Sequence, residues 1–229
     1  MDFDLSTQTA AVRQWTRDFT RLETPRLTIR PLRMEDDAAL FEAMQSPRVN
    51  RWISGFAQPF DLSALRRWLA KRLARMDNGD GVYGAVVYRD SGVMLGFMHA
   101  VLEPDLGGTE VAIAFHELYW GKGLVEEAGF AVVSDLFDAG ITPIVATTAL
   151  ENYSSIRALT AFNFEAVDQI DIDTPQGLRP SWLYRLDAAR FGQTMILPDD
   201  ATLTPVEMRQ RRMALHKLCT ELKARRRLT

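Results

Sequence analysis

Gly121-Lys122-Gly123 is the stretch whose residue types point most directly to chemistry. It follows Thr109-Glu110-Val111-Ala112-Ile113-Ala114-Phe115, an apolar run rich enough in β-branched residues to be a buried strand. It precedes Leu124 to Val133, where apolar residues recur at three and four, as on a helix. The first N–H groups of a helix lack internal partners, and the macrodipole adds partial positive charge there. A phosphate can accept those donors where no side chain blocks its approach, and Lys122 would add a formal charge beside it. The same two glycines also serve a plain tight turn, and the turn alone leaves both uses open. It is neither a Walker loop nor a dinucleotide fingerprint, because no Gly-Lys-Ser/Thr follows at Walker spacing and the third glycine of GxGxxG is absent. His116, leading out of the strand, either tunes a reacting amine or caps the strand end.

Other elements must position that turn. Residues 5–22 read as a helical arm docking by Val12, Trp15, Phe19 and Leu22, with Pro25 ending it. Arg26 to Arg30 alternates as a half-buried strand, and Met34 to Gln45 is a short amphipathic helix stopped before Pro47. Asp61 is the expected N-cap of a helix reaching Met76. Its apolar stripe is backed by a face of Arg66, Arg67, Lys71, Arg72 and Arg75, read as solvated. Val82–Tyr88 and Val93–Leu102 form a hairpin through Arg89 to Gly92. After the central helix, Ala139-Gly140 is a C-terminal stop and Pro143 to Ala149 a further strand. Asn152 caps a second core helix that ends at Asn163, a residue able to turn left-handed. Phe164–Ile172 and Ser181–Leu186 complete the sheet. The sum is a mixed α/β (α+β) chain: an antiparallel meander, a βαβ crossover and two last strands.

The chain has 229 residues, which suits one domain with extensions: an arm over 1–22, a core over 23–190, and a linker with a basic helix over 191–229. At 47% hydrophobic and 25% charged it is ordinary globular material, and a net charge of −3 argues against a nucleic-acid binder as a whole. A single cysteine, Cys219, excludes an internal disulfide framework and a cysteine zinc site. None of His99, His116 and His216 has a partner at metal-ligand spacing, so no metal is expected. No apolar run approaches the roughly 18 residues of a membrane span, and no signal-peptide core opens the chain. A soluble cytoplasmic protein is the expectation, with a homodimer allowed.

The order of elements and their residues resembles the GNAT acyltransferases, and within them the RimJ/RimL-like branch, which includes ribosomal-protein N-terminal acetyltransferases. The resemblance runs from about Leu22 to Leu186. It rests on Glu23-Thr24-Pro25-Arg26-Leu27, on Gly96, and on Tyr119-Trp120-Gly121-Lys122-Gly123 with Glu127-Ala128. Glu151-Asn152 with Ser155-Ile156-Arg157 and Asn163-Phe164 completes it. The resemblance implies acetyl-CoA as co-substrate, with its pyrophosphate on the backbone of Gly121, Lys122, Gly123, Leu124 and Val125, beside Trp120. Its pantetheine would lie along Ile113, Ala114 and Phe115, and Asn152 and Ser155 would line it near the sulfur. Glu110 matches the family's acidic position and is the implied general base, through water. Leu159 stands where many members carry a tyrosine acid, which leaves Ser155 as the implied acid.

Acetyl transfer to an amine needs a neutral amine, donors for the oxyanion and an easily leaving thiolate. Strand N–H groups near Ala112 to Ala114 are the expected oxyanion donors. The acceptor, a protein N-terminus or a small amine, is expected between the loop Asn50 to Phe56, with Arg51 and Trp52 as contacts, and the helix beginning at Asp61. Thr204-Pro205-Val206-Glu207 opens a basic amphipathic helix to about Ala224. That helix gives a docking segment or, alternatively, an RNA- or ribosome-binding module. A CoA-binding sensor without turnover is the third reading.

Overall fold

The computed structural model describes residues 4–192. The expected helix over 205–224, Cys219 and His216 lie outside them.

Asp4 caps the first helix, α1 (Leu5–Asp18), by accepting from the amides of Ser6 and Thr7. Hydrogen bonds from the same residues, that of the Thr7 hydroxyl foremost, hold its carboxyl down at about 2. The helix stops at Asp18, short of the expected 22, because Phe19 turns to an extended conformation while keeping its ring in the core. Leu22 then packs from a strand, β1 (Leu22–Glu23), which pairs with β2 (Leu27–Pro31). A three-residue step from Phe19 to Leu22 fits either geometry, so spacing alone could not choose. Pro25 sits in the turn between those strands instead of ending a helix.

A 3₁₀ turn over Met34–Asp36 leads into α2 (Asp37–Met44), and Asp36 pins it by a two-point ion pair with Arg30. Ser46 caps an unforeseen single turn, α3 (Pro47–Asn50), whose proline takes the first position. Asp61 caps α4 (Leu62–Asp77) as expected, its Oδ1 2.6 Å from the Ala64 amide. The hairpin is β3 (Gly81–Tyr88) and β4 (Met94–Glu103), followed by β5 (Gly108–Phe115), α5 (Leu124–Asp138) and β6 (Ile144–Ala149). Then come α6 (Tyr153–Ala161), capped by Asn152, and Asn163 at φ 63°. The chain closes on β7 (Glu165–Thr174), β8 (Gly177–Leu186) and α7 (Ala188–Gly192). The last hairpin is longer than expected because Pro180 is tolerated within β8. Its carbonyl faces Leu150, on the side where β6 has already ended, so its missing N–H breaks no ladder.

The eight strands run β1-β2-β3-β4-β5-β6-β8-β7, with β8 inserted between β6 and β7. Alternation along the strands divides the core between the two faces of the sheet. On one face α1, α5 and Phe162 cover Met98, Phe115 and Ile144; on the other α2 and α4 cover Tyr83, Phe97 and Val101. Among the described residues, β5 and β6 alone pair in parallel. The β5–β6 ladder has two registered pairs, Thr109 with Ile144 and Glu110 with Val145, and beyond them the strands part. That parting positions the candidate site.

Candidate active site

A continuous cleft of about 2020 Å³ runs through the gap between β5 and β6, from the α5–α6 face to the α4 face. Single small-ligand pockets hold roughly 300–1,000 Å³, so there is room for two molecules end to end.

The edge of β5 forms one wall. The His116 amide donates to the Leu95 carbonyl, so alternate residues Ala114, Ala112 and Glu110 turn their backbone groups toward β4. Phe115, Ile113 and Val111 therefore turn theirs toward the gap. This corrects the expected oxyanion donors: within Ala112 to Ala114 only the Ile113 amide faces the opening. The Phe115 carbonyl is taken by Trp120 Nε1 at 2.8 Å, and the Phe115 ring is buried in the core. Its amide is thus the group left toward the cleft.

At the far end, Gly121 and Gly123 both have φ 72°, a left-handed turn that side chains rarely adopt. Gly123 is the N-cap of α5 and no side chain caps that helix, so its first amides are open to an anion. The side chain of Leu124 is buried and that of Val125 packs on the core, leaving their backbones to line the turn. Lys122 Nζ lies 5.6 Å from the Tyr119 ring centre, and Arg48 stacks 5.7 Å from that of Trp120. These groups fit an anionic, extended ligand such as the pyrophosphate and pantetheine of CoA. Arg26, lining the cleft, braces the turn: it donates to the Lys122 carbonyl at 3.0 Å and pairs with Glu127 at 2.5 Å. Glu127 also accepts from the Thr24 hydroxyl and the Arg26 amide.

Opposite, Asn152 Oδ1 accepts from the Ser155 amide at 3.3 Å, so Asn152 serves as a cap as well as lining the cleft. Ser155 is half-buried at the cleft wall, and the open amide in the first turn of its helix is already answered by Asn152. His116 caps its own turn, Nδ1 accepting from the Leu118 amide.

Glu110 lies where the strands part, on the α4 face. Thr147 of β6 donates to its Oε1 at 2.7 Å, and His99 Nε2 is 3.4 Å from Oε2, an ion-pair contact without hydrogen-bond alignment. Burial pushes the carboxyl up, but His99, Thr147 and the field of Arg75 outweigh it and hold it below its ordinary value. Its partners are not the arginine a purely structural carboxylate would suggest. Neither His99 nor Thr147 stood out as a site residue from sequence, since each reaches the site from a different strand, whereas Arg26 carried a signal only as part of the Pro25-Arg26 motif.

The acceptor side is walled by Arg51, Trp52 and Gly55 of the loop after α3, and by Trp68 and Arg72 of α4. Arg51 stacks 4.6 Å from the Trp52 ring centre. Phe56 anchors the loop against Phe60 and Trp68, and Gln176 of the β7–β8 turn donates to the Phe56 carbonyl at 2.9 Å. That turn brings Arg179 and Ser181 to the cleft, a contribution not foreseen. The face of α4 expected to be solvated is only partly so. Arg75 pairs with Glu103 at 2.6 Å, and Arg72 lies 4.8 Å from the Trp68 ring centre. Among the described residues no cluster of three or more metal-binding side chains occurs, and no helix is long and apolar enough to cross a membrane.

Residues 26–165 match the family profile of the acetyltransferase (GNAT) domain. An uncharacterised N-acetyltransferase, p20, of Bacillus licheniformis is 26% identical over 151 residues, which span 63% of this chain and 82% of that protein. Among solved structures, the ribosomal-protein-S5-alanine acetyltransferase of Vibrio fischeri superposes with a TM-score of 0.60 at 16% identity, covering 73% of this chain and 96% of that one. An acetyltransferase of Agrobacterium tumefaciens gives 0.61 at 22% identity, over 74% and 95%. A parted β5–β6 pair, a glycine turn opening α5 and a family match over more than half the chain lead to one conclusion: this chain belongs to the GNAT family and is an acetyltransferase.

Proposed function

We propose that the chain transfers acetyl from acetyl-CoA directly to the nitrogen of a primary amine, with both substrates bound in one cleft. The observation that carries this reading is Glu110, a buried carboxylate at the point where β5 and β6 part, between the cofactor-binding turn and the arginine-lined acceptor side. The segment over 23–190 carries the residues of this chemistry. A RimJ/RimL-like role in the cytoplasm, with a protein N-terminus as one acceptor class, follows from the sequence resemblance and from the named activity of the Vibrio fischeri neighbour.

In this reading the amine nitrogen attacks the thioester carbonyl, the C–N bond forms, the C–S bond breaks, and the thiolate leaves. Glu110 takes up the amine's proton through a water it orients. A carboxyl held low is a weak proton sink, so the proton passes on to solvent. The Ile113 amide faces the developing oxyanion, and the Ser155 hydroxyl passes a proton to the thiolate sulfur while regaining one from solvent. Gly121 to Val125 hold the pyrophosphate, with Trp120 and Asn152 beside the cofactor and Arg51 and Trp52 toward the acceptor.

The test is free-thiol release from acetyl-CoA against small amines and N-terminal peptides, with CoA binding followed by calorimetry. Glu110→Gln is expected to lower kcat about 10²- to 10³-fold while CoA affinity holds. CoA binding without turnover on any amine would replace the enzyme reading with a sensor, and absent CoA binding would sink the reading of the turn.

A further inference from the structure

Several arginines line the cleft, and three of them have an acid to answer them. Arg26 is held by Glu127, Arg48 by Glu117 and Arg75 by Glu103. On the acceptor side three remain. Arg51, Arg72 and Arg179 come from the loop after α3, from α4 and from β8, and among the described residues none has a carboxylate within ion-pair distance. Arg51 and Arg179 also share a smaller neighbouring depression with Arg48, which extends the positive surface outward.

Arg72 is the informative member. Its guanidinium is packed on the Trp68 ring, 6.0 Å from the centre of the Tyr83 ring, and its Nε is buried without a hydrogen-bond acceptor. Trp68 Nε1, beside it, is also a buried donor without an acceptor. Gly55 passes so close that an added Cβ would lie 2.6 Å from the Arg72 terminal nitrogen and 2.8 Å from Trp68 Nε1. A side chain at 55 would therefore fill the space at the guanidinium edge. The group is close to the reacting region: Tyr83 lies 5.5 Å from His99, ring centre to ring centre, and His99 faces Glu110.

The aspartates of β7 do not neutralise Arg179. It is registered opposite Ile172, and both line the cleft, whereas Asp171 and Asp173 are opposite Pro180 and Leu178 and project from the other face of the hairpin. The mouth is thus built to stay positive next to a carboxylate that needs a neutral amine. A cationic polyamine is a poor match for such a wall. A molecule with an anionic group a few bonds from its amine matches it.

We propose that the acceptor is an amine bearing a carboxylate, an amino acid or a short peptide with an acidic group, whose carboxylate is bound by Arg72 with Arg51 and Arg179 at the rim. A planar carboxylate offers two oxygens in the geometry of a guanidinium edge, and stacking on Trp68 fixes that edge. The proposal rests on the acetyl-transfer reading above, so its test separates the two.

Binding is measured first, by calorimetry, with N-acetylated amino acids and acidic dipeptides against the same compounds carrying a carboxamide in place of the carboxylate. The acid forms should bind about 10- to 100-fold more tightly, a preference that falls with added salt. Arg72→Gln should collapse the acid-to-amide ratio toward one, and Arg72→Lys should restore part of it. Arg51→Gln and Arg179→Gln, at exposed and half-exposed positions, should narrow the ratio less and serve if the Arg72 variants fail to fold. Equal binding of acid and amide by the wild type, or a ratio unchanged in the Arg72 and rim variants, overturns the proposal. Turnover confined to carboxylate-free amines overturns it while leaving acetyl transfer standing. Acid-selective binding with no acetyl transfer to any amine upholds the anion site and removes the transferase reading.

Discussion

At the scale of single residues, the environment of Glu110 makes a prediction separate from catalysis. Its carboxyl is held below the ordinary 4.5 in the folded chain. A group depressed in this way contributes stability that is complete above its unfolded pKa and disappears as pH falls through the folded value. The melting temperature of the wild type relative to Glu110→Gln should therefore be level from neutral pH down to about 5–6 and decline below that, through the acid range. A wild-type advantage that grows on acidification would mean burial, not His99 and Thr147, decides the charge. The carboxylate itself was legible in the sequence, because one acid in an apolar strand stands out once the family pattern is seen. Its partners were not. His99 and Thr147 meet it only through the register of β4 and β6 on either side, and register cannot be read from a strand alone.

At the scale of elements, turns and caps were the most readable features because each depends on a local conformational need. Gly123, Asn152, Asp61 and Asn163 all stand where expected. What the elements pack against was less readable, as Arg72 and Arg75 illustrate on α4: their stems and charges meet rings and acids contributed by other segments. One packing contact borders the cleft. Gly129 of α5 lies under the Phe162 ring at the end of α6, and a Cβ there would be 2.7 Å from Cζ. Gly129→Ala gains helix propensity of up to about 1 kcal/mol and incurs roughly 1–3 kcal/mol of overpacking. A net loss of about 1–2 kcal/mol is expected by denaturant unfolding, with weaker CoA binding as α6 is pushed away. A variant as stable as the wild type would show that the two helices are not tightly seated.

At the scale of the molecule, seven of the eight strands and the crossover followed from pattern and connectivity, whereas the two-residue β1 and the insertion of β8 between β6 and β7 did not. That order is set by which long-range pairs form, information spread over the chain. The arm is likewise part of the whole. Val12, Trp15 and Phe19 share one core with Phe115 and Leu136, and Trp15 Nε1 donates to Asp135 at 2.6 Å. Trp15→Ala should therefore lower stability by about 3–5 kcal/mol and keep a single cooperative transition. Unfolding of α1 alone, with the main transition unmoved in calorimetry, would show the arm to be an appendage.

The two-rung ladder between β5 and β6 has a consequence for handling as well as for chemistry. An ordinary sheet exposes raw edges only at its two outer strands, whereas this one carries an additional edge in its middle, along Val111 to Phe115. Unpaired strand edges recruit other strands, and here neither a charge nor a proline on β5 beyond Glu110 blocks that recruitment. An extended molecule lying in the wedge takes the place of the missing strand and shields it. Occupancy of the cleft is therefore expected to suppress any self-association through this edge, so light scattering of the chain with and without CoA should show less association with the ligand present.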